Sequence, residues 1–132
     1  TIAGVPNLWF ATVDVREIAE AHYKAGFTPE AKGRYIAANE STTLLKMAQL
    51  LREKYGNKFP FPKNELPKFL VWLMGPFGGV ERKFVSNNVG YKIFFDNSKS
   101  VKELGIKYRP LKESLLEFFE SQIKNGRIKL KK

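Results

Sequence analysis

Val13-Asp14-Val15-Arg16-Glu17-Ile18-Ala19-Glu20-Ala21-His22 is the stretch that organises the chain around it. On its N-terminal side, Leu8 to Val15 is rich in aromatic and β-branched residues and reads as a buried or half-buried strand. On its C-terminal side the spacing changes. Val15, Ile18, Ala19, His22 and Ala25 recur at helical intervals, which predicts a helix with that face inward and Asp14 as its N-cap. Gly26 and Pro29 close it. Asp14, Glu17 and Glu20 then form a solvated acidic turn that favours the helix dipole.

Working outward, Gly33 to Ala38 reads as a short strand, and Ser41, Thr42 and Thr43 offer caps for a second helix ending near Tyr55-Gly56. Residues 57–67 carry Pro60, Pro62 and Pro67 and read as an extended linker. Phe69 to Met74 predicts an apolar helix stopped by Gly75-Pro76, and residues 81–88 one or two helical turns. Ile93 to Phe95 reads as a short strand. Asp96 or Asn97 caps a helix through Leu104, with Gly105 as its terminator. Pro110 opens a last helix with Leu111, Leu115, Phe118, Phe119 and Ile123 inward and Glu113, Glu117 and Glu120 outward. The order is mixed: an α/β chain, helix-rich with a few short strands.

The 132 residues suffice for one domain with a core. The absence of cysteine excludes disulfide frameworks, Cys-ligated zinc and thiol catalysis, and a single histidine excludes His-rich metal sites. No metal site is therefore expected. The longest apolar run is far below the roughly 20 residues of a membrane span, so no membrane partner is expected, and a cytoplasmic location is. The net charge is +10. Most of it is lysine dispersed among acids, which argues for solubility rather than nucleic-acid binding. A dense basic cluster stands only in the tail, at Arg127, Lys129, Lys131 and Lys132.

The chemical motifs fail one by one. Gly75-Pro76-Phe77-Gly78 has GxxG spacing, but Leu73 stands where a dinucleotide fingerprint needs its first glycine, and no basic residue lies between the glycines as in a KH clamp. Tyr108 and Lys112 match the YxxxK spacing of short-chain reductases, yet Pro110 lies between them and breaks the shared helical face. His22 reads as a packed histidine bonded to backbone. Trp9, Phe10, Trp72, Phe77 and Phe84 are core candidates that also suit the wall of an apolar pocket. No complete catalytic or cofactor-binding group is present in this chain.

Three stretches, in order, resemble one family. Val13 to His22 is similar to the VDVRDVAxAH segment of extended short-chain dehydrogenase/reductases, closest to the dihydroflavonol reductase and aldehyde reductase branch of the epimerase/dehydratase superfamily. Gly33-Arg34-Tyr35-Ile36 with Thr43 to Leu51 resembles that family's next strand and helix. Asp96 to Lys99, Glu103-Leu104-Gly105 and Tyr108 to Leu115 resemble its D-x-S-K…ELG…P-L-x-x-(S/T)-L signature. The resemblance implies that residues 1–132 are the C-terminal, substrate-binding portion of a Rossmann-type reductase. Its dinucleotide-binding domain and its catalytic tyrosine would then lie before Thr1, as the non-Met start also suggests.

The resemblance further implies NADP or NAD held by that N-terminal nucleotide-binding domain, and hydride transfer to a small-molecule carbonyl. Related nucleotide-sugar epimerases place an arginine where Phe10 stands here, and an Arg and Asp pair where Ser86 to Val89 stand. The implied substrate is an uncharged aldehyde, ketone or dihydroflavonol-like molecule, with Phe10, Phe77 and Phe84 lining one wall of its pocket. The alternative is a small basic binding module for nucleic acid or an acidic partner, drawing on the Arg127 to Lys132 tail. A third reading is an interaction domain that meets another chain through an exposed apolar patch.

Overall fold

The computed structural model describes residues 4–128. The chain runs β1 (Val5–Pro6), β2 (Trp9–Thr12), α1 (Val15–Phe27), β3 (Glu40–Thr43), α2 (Leu44–Tyr55) and β4 (Glu65–Leu66). It continues through α3 (Lys68–Met74), a 3₁₀ turn (Gly75–Gly78), α4 (Arg82–Asn88), α5 (Ser98–Leu104) and α6 (Leu111–Lys124). This is the helix-rich α/β arrangement with few short strands that the sequence predicts. β2 and β3 pair antiparallel, Trp9 opposite Thr43 and Thr12 opposite Glu40, while β1 and β4 form a two-residue parallel pair.

Helix ends follow local chemistry. Asp14 accepts from the Arg16 backbone N–H at 2.9 Å, and the Glu17 side chain returns to the Asp14 N–H, so α1 opens on a complete capping box. Thr43 caps α2 through its hydroxyl, and Gly56 ends it in a positive-φ conformation. Asp96 accepts from the Ser98 N–H, and left-handed Gly105 ends α5. Pro110 stands one position before the first residue of α6, its φ already set for the helix.

Two apolar clusters hold the elements together. Leu51, Phe59, Leu111, Leu115 and Phe119 join α2 to α6 and to the loop between them, with Met47, Tyr55 and Phe61 around the edge. Ala21, Leu104 and Ile106 join α1 to α5, with Tyr35, Ala37 and Tyr108 packed alongside.

Several expectations are corrected. The strand expected over residues 8–15 ends at Thr12, because the backbone turns to cap α1 at Asp14. Gly33 to Ala38 and Ile93 to Phe95 are not strands; neither run has a backbone ladder, without which a β-prone sequence has no strand to join. The extended stretch 57–67 contains the short strand β4. Gly75-Pro76 does not stop the chain's winding: it tightens into the 3₁₀ turn, and left-handed Gly79 ends it.

The inward face of α1 is also reversed. Val15 is 75% exposed, and Ala19, His22 and Ala25 face outward, whereas Glu17 and Ala21 are buried. His22 keeps the expected backbone contact, its Nδ1 lying 2.7 Å from the Ile18 carbonyl, but its ring is exposed rather than packed. On α6, Phe118 points outward, while Leu111, Leu115 and Phe119 are buried as expected.

Candidate functional site

A cleft of about 460 Å³ opens where the first turn of α1 meets α2 and α6. Val13, Val15, Met47, Leu115 and Phe118 supply apolar walls, and Asp14, Arg16 and Glu117 supply charge. Those charges are already committed to one another. Arg16 grips Asp14 through Nε at 2.9 Å and Nη2 at 2.7 Å, and its Nη2 also reaches Glu117 at 2.6 Å. Arg109 approaches the same Glu117 carboxylate at 3.4 Å. The fork-shaped guanidinium suits this bridging geometry.

Beneath the cleft, the buried Glu17 carboxylate accepts from two backbone donors: Asp14 N–H at 3.2 Å and Arg109 N–H at 2.5 Å. Asn39 donates to the Arg109 carbonyl, and Glu40 accepts from the Leu111 N–H at 3.2 Å. Three segments distant in sequence therefore share one polar knot. Glu17 was expected in a solvated acidic turn; here it takes up backbone donors that burial would otherwise leave unpaired. The signal was present as Asp14-x-x-Glu17, the N-cap and third-residue pair of a capping box.

The hydrogen bonds from Arg16 hold the Asp14 carboxyl well below the ordinary carboxylate range, against the opposing effect of its burial. A carboxylate with a depressed folded-state pKa adds stability that is complete above its unfolded value and fades as pH falls toward the folded one. Asp14 starts from 3.8. Urea titrations should therefore show wild type losing its advantage over Asp14→Asn between about pH 4 and 2. A gap between the two that stays constant with pH would contradict this.

The aromatic candidates lie apart. Phe10 is half-buried on β2, opposite Thr42. Phe77 sits in the 3₁₀ turn and is 92% exposed. Phe84, on α4, lines a shallow hollow with Gly79, Val80 and Glu81; neither Phe10 nor Phe77 lines this hollow or the cleft. Tyr108 and Lys112 also part: the Tyr108 hydroxyl lies 2.9 Å from Ser100 Oγ, and the Lys112 ammonium is 2.6 Å from Glu53.

Nor do the described residues build a dinucleotide site. The GxxG pair follows a helix rather than a strand and is wound into the 3₁₀ turn. Among the described residues no cluster of His, Asp or Glu suits a metal ion, and no helix is long and apolar enough to cross a membrane.

A feature not read from the sequence lies on α3, α4 and the 91–94 loop. Arg82 stacks on Trp72 at 4.7 Å, Lys68 on Tyr91 at 4.4 Å, and Lys92 between Trp9 at 5.2 Å and Phe94 at 5.1 Å. None of these cations pairs with a carboxylate among the described residues. Pairs brought together by tertiary folding carry no periodic signature. Of the basic tail, Lys129, Lys131 and Lys132 lie outside the described residues.

Among the described residues, the geometry offers binding surfaces and no dinucleotide cradle. Comparison with known proteins gives it a context. No family model matches the chain. It is 28% identical over 124 residues to cinnamoyl-CoA reductase 2 of Arabidopsis thaliana, which covers 94% of this chain and 32% of that protein. A putative dihydroflavonol 4-reductase of Synechocystis sp. is 28% identical over 128 residues, covering 84% of this chain and 36% of the relative. The NADPH-dependent methylglyoxal reductase GRE2 of Saccharomyces cerevisiae is 31% identical over 112 residues, covering 84% and 28%.

The chain resembles a segment of an extended short-chain reductase. Its fold agrees with the crystal structure of gox2253, with a TM-score of 0.74 at 23% identity, across 98% of this chain and 41% of that one. The reductase-like segment spans about a third of the length of the curated relatives it matches.

Proposed function

We propose that this chain is the C-terminal, substrate-binding portion of an NAD(P)-dependent reductase that delivers hydride to an uncharged aldehyde, ketone or dihydroflavonol-like carbonyl. The observation that carries this reading is the match to three proteins named as reductases, spread along 84–94% of the chain. NADPH is the favoured cofactor, since one of them is named as NADPH-dependent. A nucleotide-binding domain outside this chain would hold it, since the described residues make no cradle for it.

This chain's part is to shape and desolvate the substrate. Of the three aromatics expected to form the wall, Phe84 lines a concave surface, the hollow with Gly79, Val80 and Glu81, and carries the proposed contact, while the polar knot under the cleft fixes α1 against α6. The test is the intact protein, assayed by NADPH consumption with neutral aromatic and aliphatic carbonyls. We expect turnover, and a KM raised about three- to tenfold in Phe84→Ala, as the loss of ~0.7–1.4 kcal/mol of ring contact requires. An intact protein that neither binds NADPH nor reduces any such carbonyl would overturn the reading.

A second reading, a basic module for nucleic acid or another acidic partner, is favoured by the three cations stacked on rings without carboxylate partners. It requires tight binding to single-stranded nucleic acid that weakens steeply with salt. Weak binding with a shallow salt slope leaves the reductase reading alone.

A further inference from the structure

We infer that the hairpin of α3, the 3₁₀ turn and α4 is a docking surface for an anionic lipid bilayer, resting in its interface without crossing it. Contact with a bilayer requires nothing of the reductase reading. The surface is apolar and open. Leu70, Leu73 and Met74 fall at helical spacing on one side of α3, all of them exposed, with Phe69 beside Leu73. Phe77 follows in the turn with its ring almost wholly bare. Single apolar side chains on a surface need no partner, but five within nine consecutive residues make a patch that does.

The patch is held in place. Val80 N–H donates to the Gly75 carbonyl at 2.9 Å, and a Cβ at Gly75 would come within 3.0 Å of the Val80 carbonyl oxygen. Val85 of α4, fully buried, lies against the same glycine. A hairpin fixed this way loses little freedom when it meets a partner.

Charge selects the occupant. Between Glu65 and Asp96 the one carboxylate is Glu81, against Lys68, Arg82, Lys83 and Lys92, which leaves a net charge of +3. Arg82 lies over Trp72 at 4.7 Å and Lys68 over Tyr91 at 4.4 Å. Long cationic side chains and amphipathic rings together suit the boundary between acyl chains and headgroups. An apolar patch flanked by such cations is complementary to anionic headgroups above hydrocarbon. A second copy would set the cations against one another, and nucleic acid, which stacks on rings, would leave Leu70, Leu73 and Met74 in water. No helix among the described residues is long and apolar enough to cross a membrane, and interfacial contact needs none.

Vesicle sedimentation tests the surface on the intact protein, because the segment alone also bares Val15, Tyr23 and Phe27. The probes are vesicles of phosphatidylcholine alone and of phosphatidylcholine with about one-third phosphatidylserine. We expect partition onto the anionic vesicles that weakens with salt, and much less onto the neutral ones. Phe77→Ala should lower that partition about tenfold or more, and Lys83→Gln about fivefold. Both side chains are exposed, so the urea midpoints of the variants should match wild type. Failure to bind the anionic vesicles would overturn the inference, and so would binding that Phe77→Ala leaves unchanged. Salt-sensitive binding to a poly-thymidine oligonucleotide in place of vesicles would overturn it in favour of nucleic acid. Self-association that Phe77→Ala abolishes, in place of vesicle binding, would overturn it in favour of a second copy.

Discussion

Phe119→Ala should lower the free energy of unfolding by about 3–5 kcal/mol. Phe119 is the ring on which the larger apolar cluster converges. Phe59 meets it edge-on, its ring centroid 5.0 Å away, and Tyr55 and Phe61 lie at 5.1 and 5.6 Å. Truncation removes the transfer energy of a buried ring, opens a cavity and strands three aromatic partners. Interiors packed at crystal density relax only partly around such a hole. Its neighbour supplies the control: Phe118 is 60% exposed, and Phe118→Ala should stay within about 0.5 kcal/mol of wild type. Urea denaturation of both variants measures the difference. Equal losses would mean that the α2–α6 cluster is not the stabilising core.

Glu17→Ala should cost about 2–5 kcal/mol, through polar groups rather than packing. It leaves the N–H groups of Asp14 and Arg109 buried without an acceptor, at roughly 1–3 kcal/mol each. Glu17→Gln keeps the size but presents an amide N–H₂ to one of these donors, so it should recover only part of the loss. Glu20, one turn further along and exposed, should tolerate alanine with a much smaller effect. The readouts are the urea midpoint and the exchange rate of the Arg109 amide. A Glu17→Ala protein as stable as wild type would show that the polar knot is incidental.

The Glu17 case also shows where sequence reading stops. Helices α2, α5 and α6 were legible from the residues at their ends: Thr43 and Gly56, Asp96 and Gly105, and Pro110 ahead of α6. The first helix was legible as an element but not in its orientation. Periodicity assigns the apolar side to the core, yet here carboxylates go inward to take up backbone donors from residues nearly a hundred positions away, and Val15, Tyr23 and Phe27 stay outside.

The two strands expected at Gly33 to Ala38 and Ile93 to Phe95 failed for a different reason. Their local propensity is that of strands, but a strand is a relation between two backbones, and among the described residues these runs have no second backbone to meet. Of the site, the cleft and the cation–ring pairs were not legible, since both arise from residues brought together only by the tertiary fold.

The bond between Glu17 and the Arg109 amide spans 92 residues, and that between Arg16 and Glu117 spans 101. During synthesis the first helix therefore emerges long before the groups that complete its N-terminus. Its buried carboxylate must wait, hydrated and unmated, for nearly the whole segment to leave the ribosome. Such a topology pays loop-closure entropy late, so the chain should fold slowly and spend its vulnerable interval with the Val15 to Phe27 surface bare. Ribosome-stalled chains ending before Arg109 should be cut readily within α1, and chains released beyond Glu117 should resist.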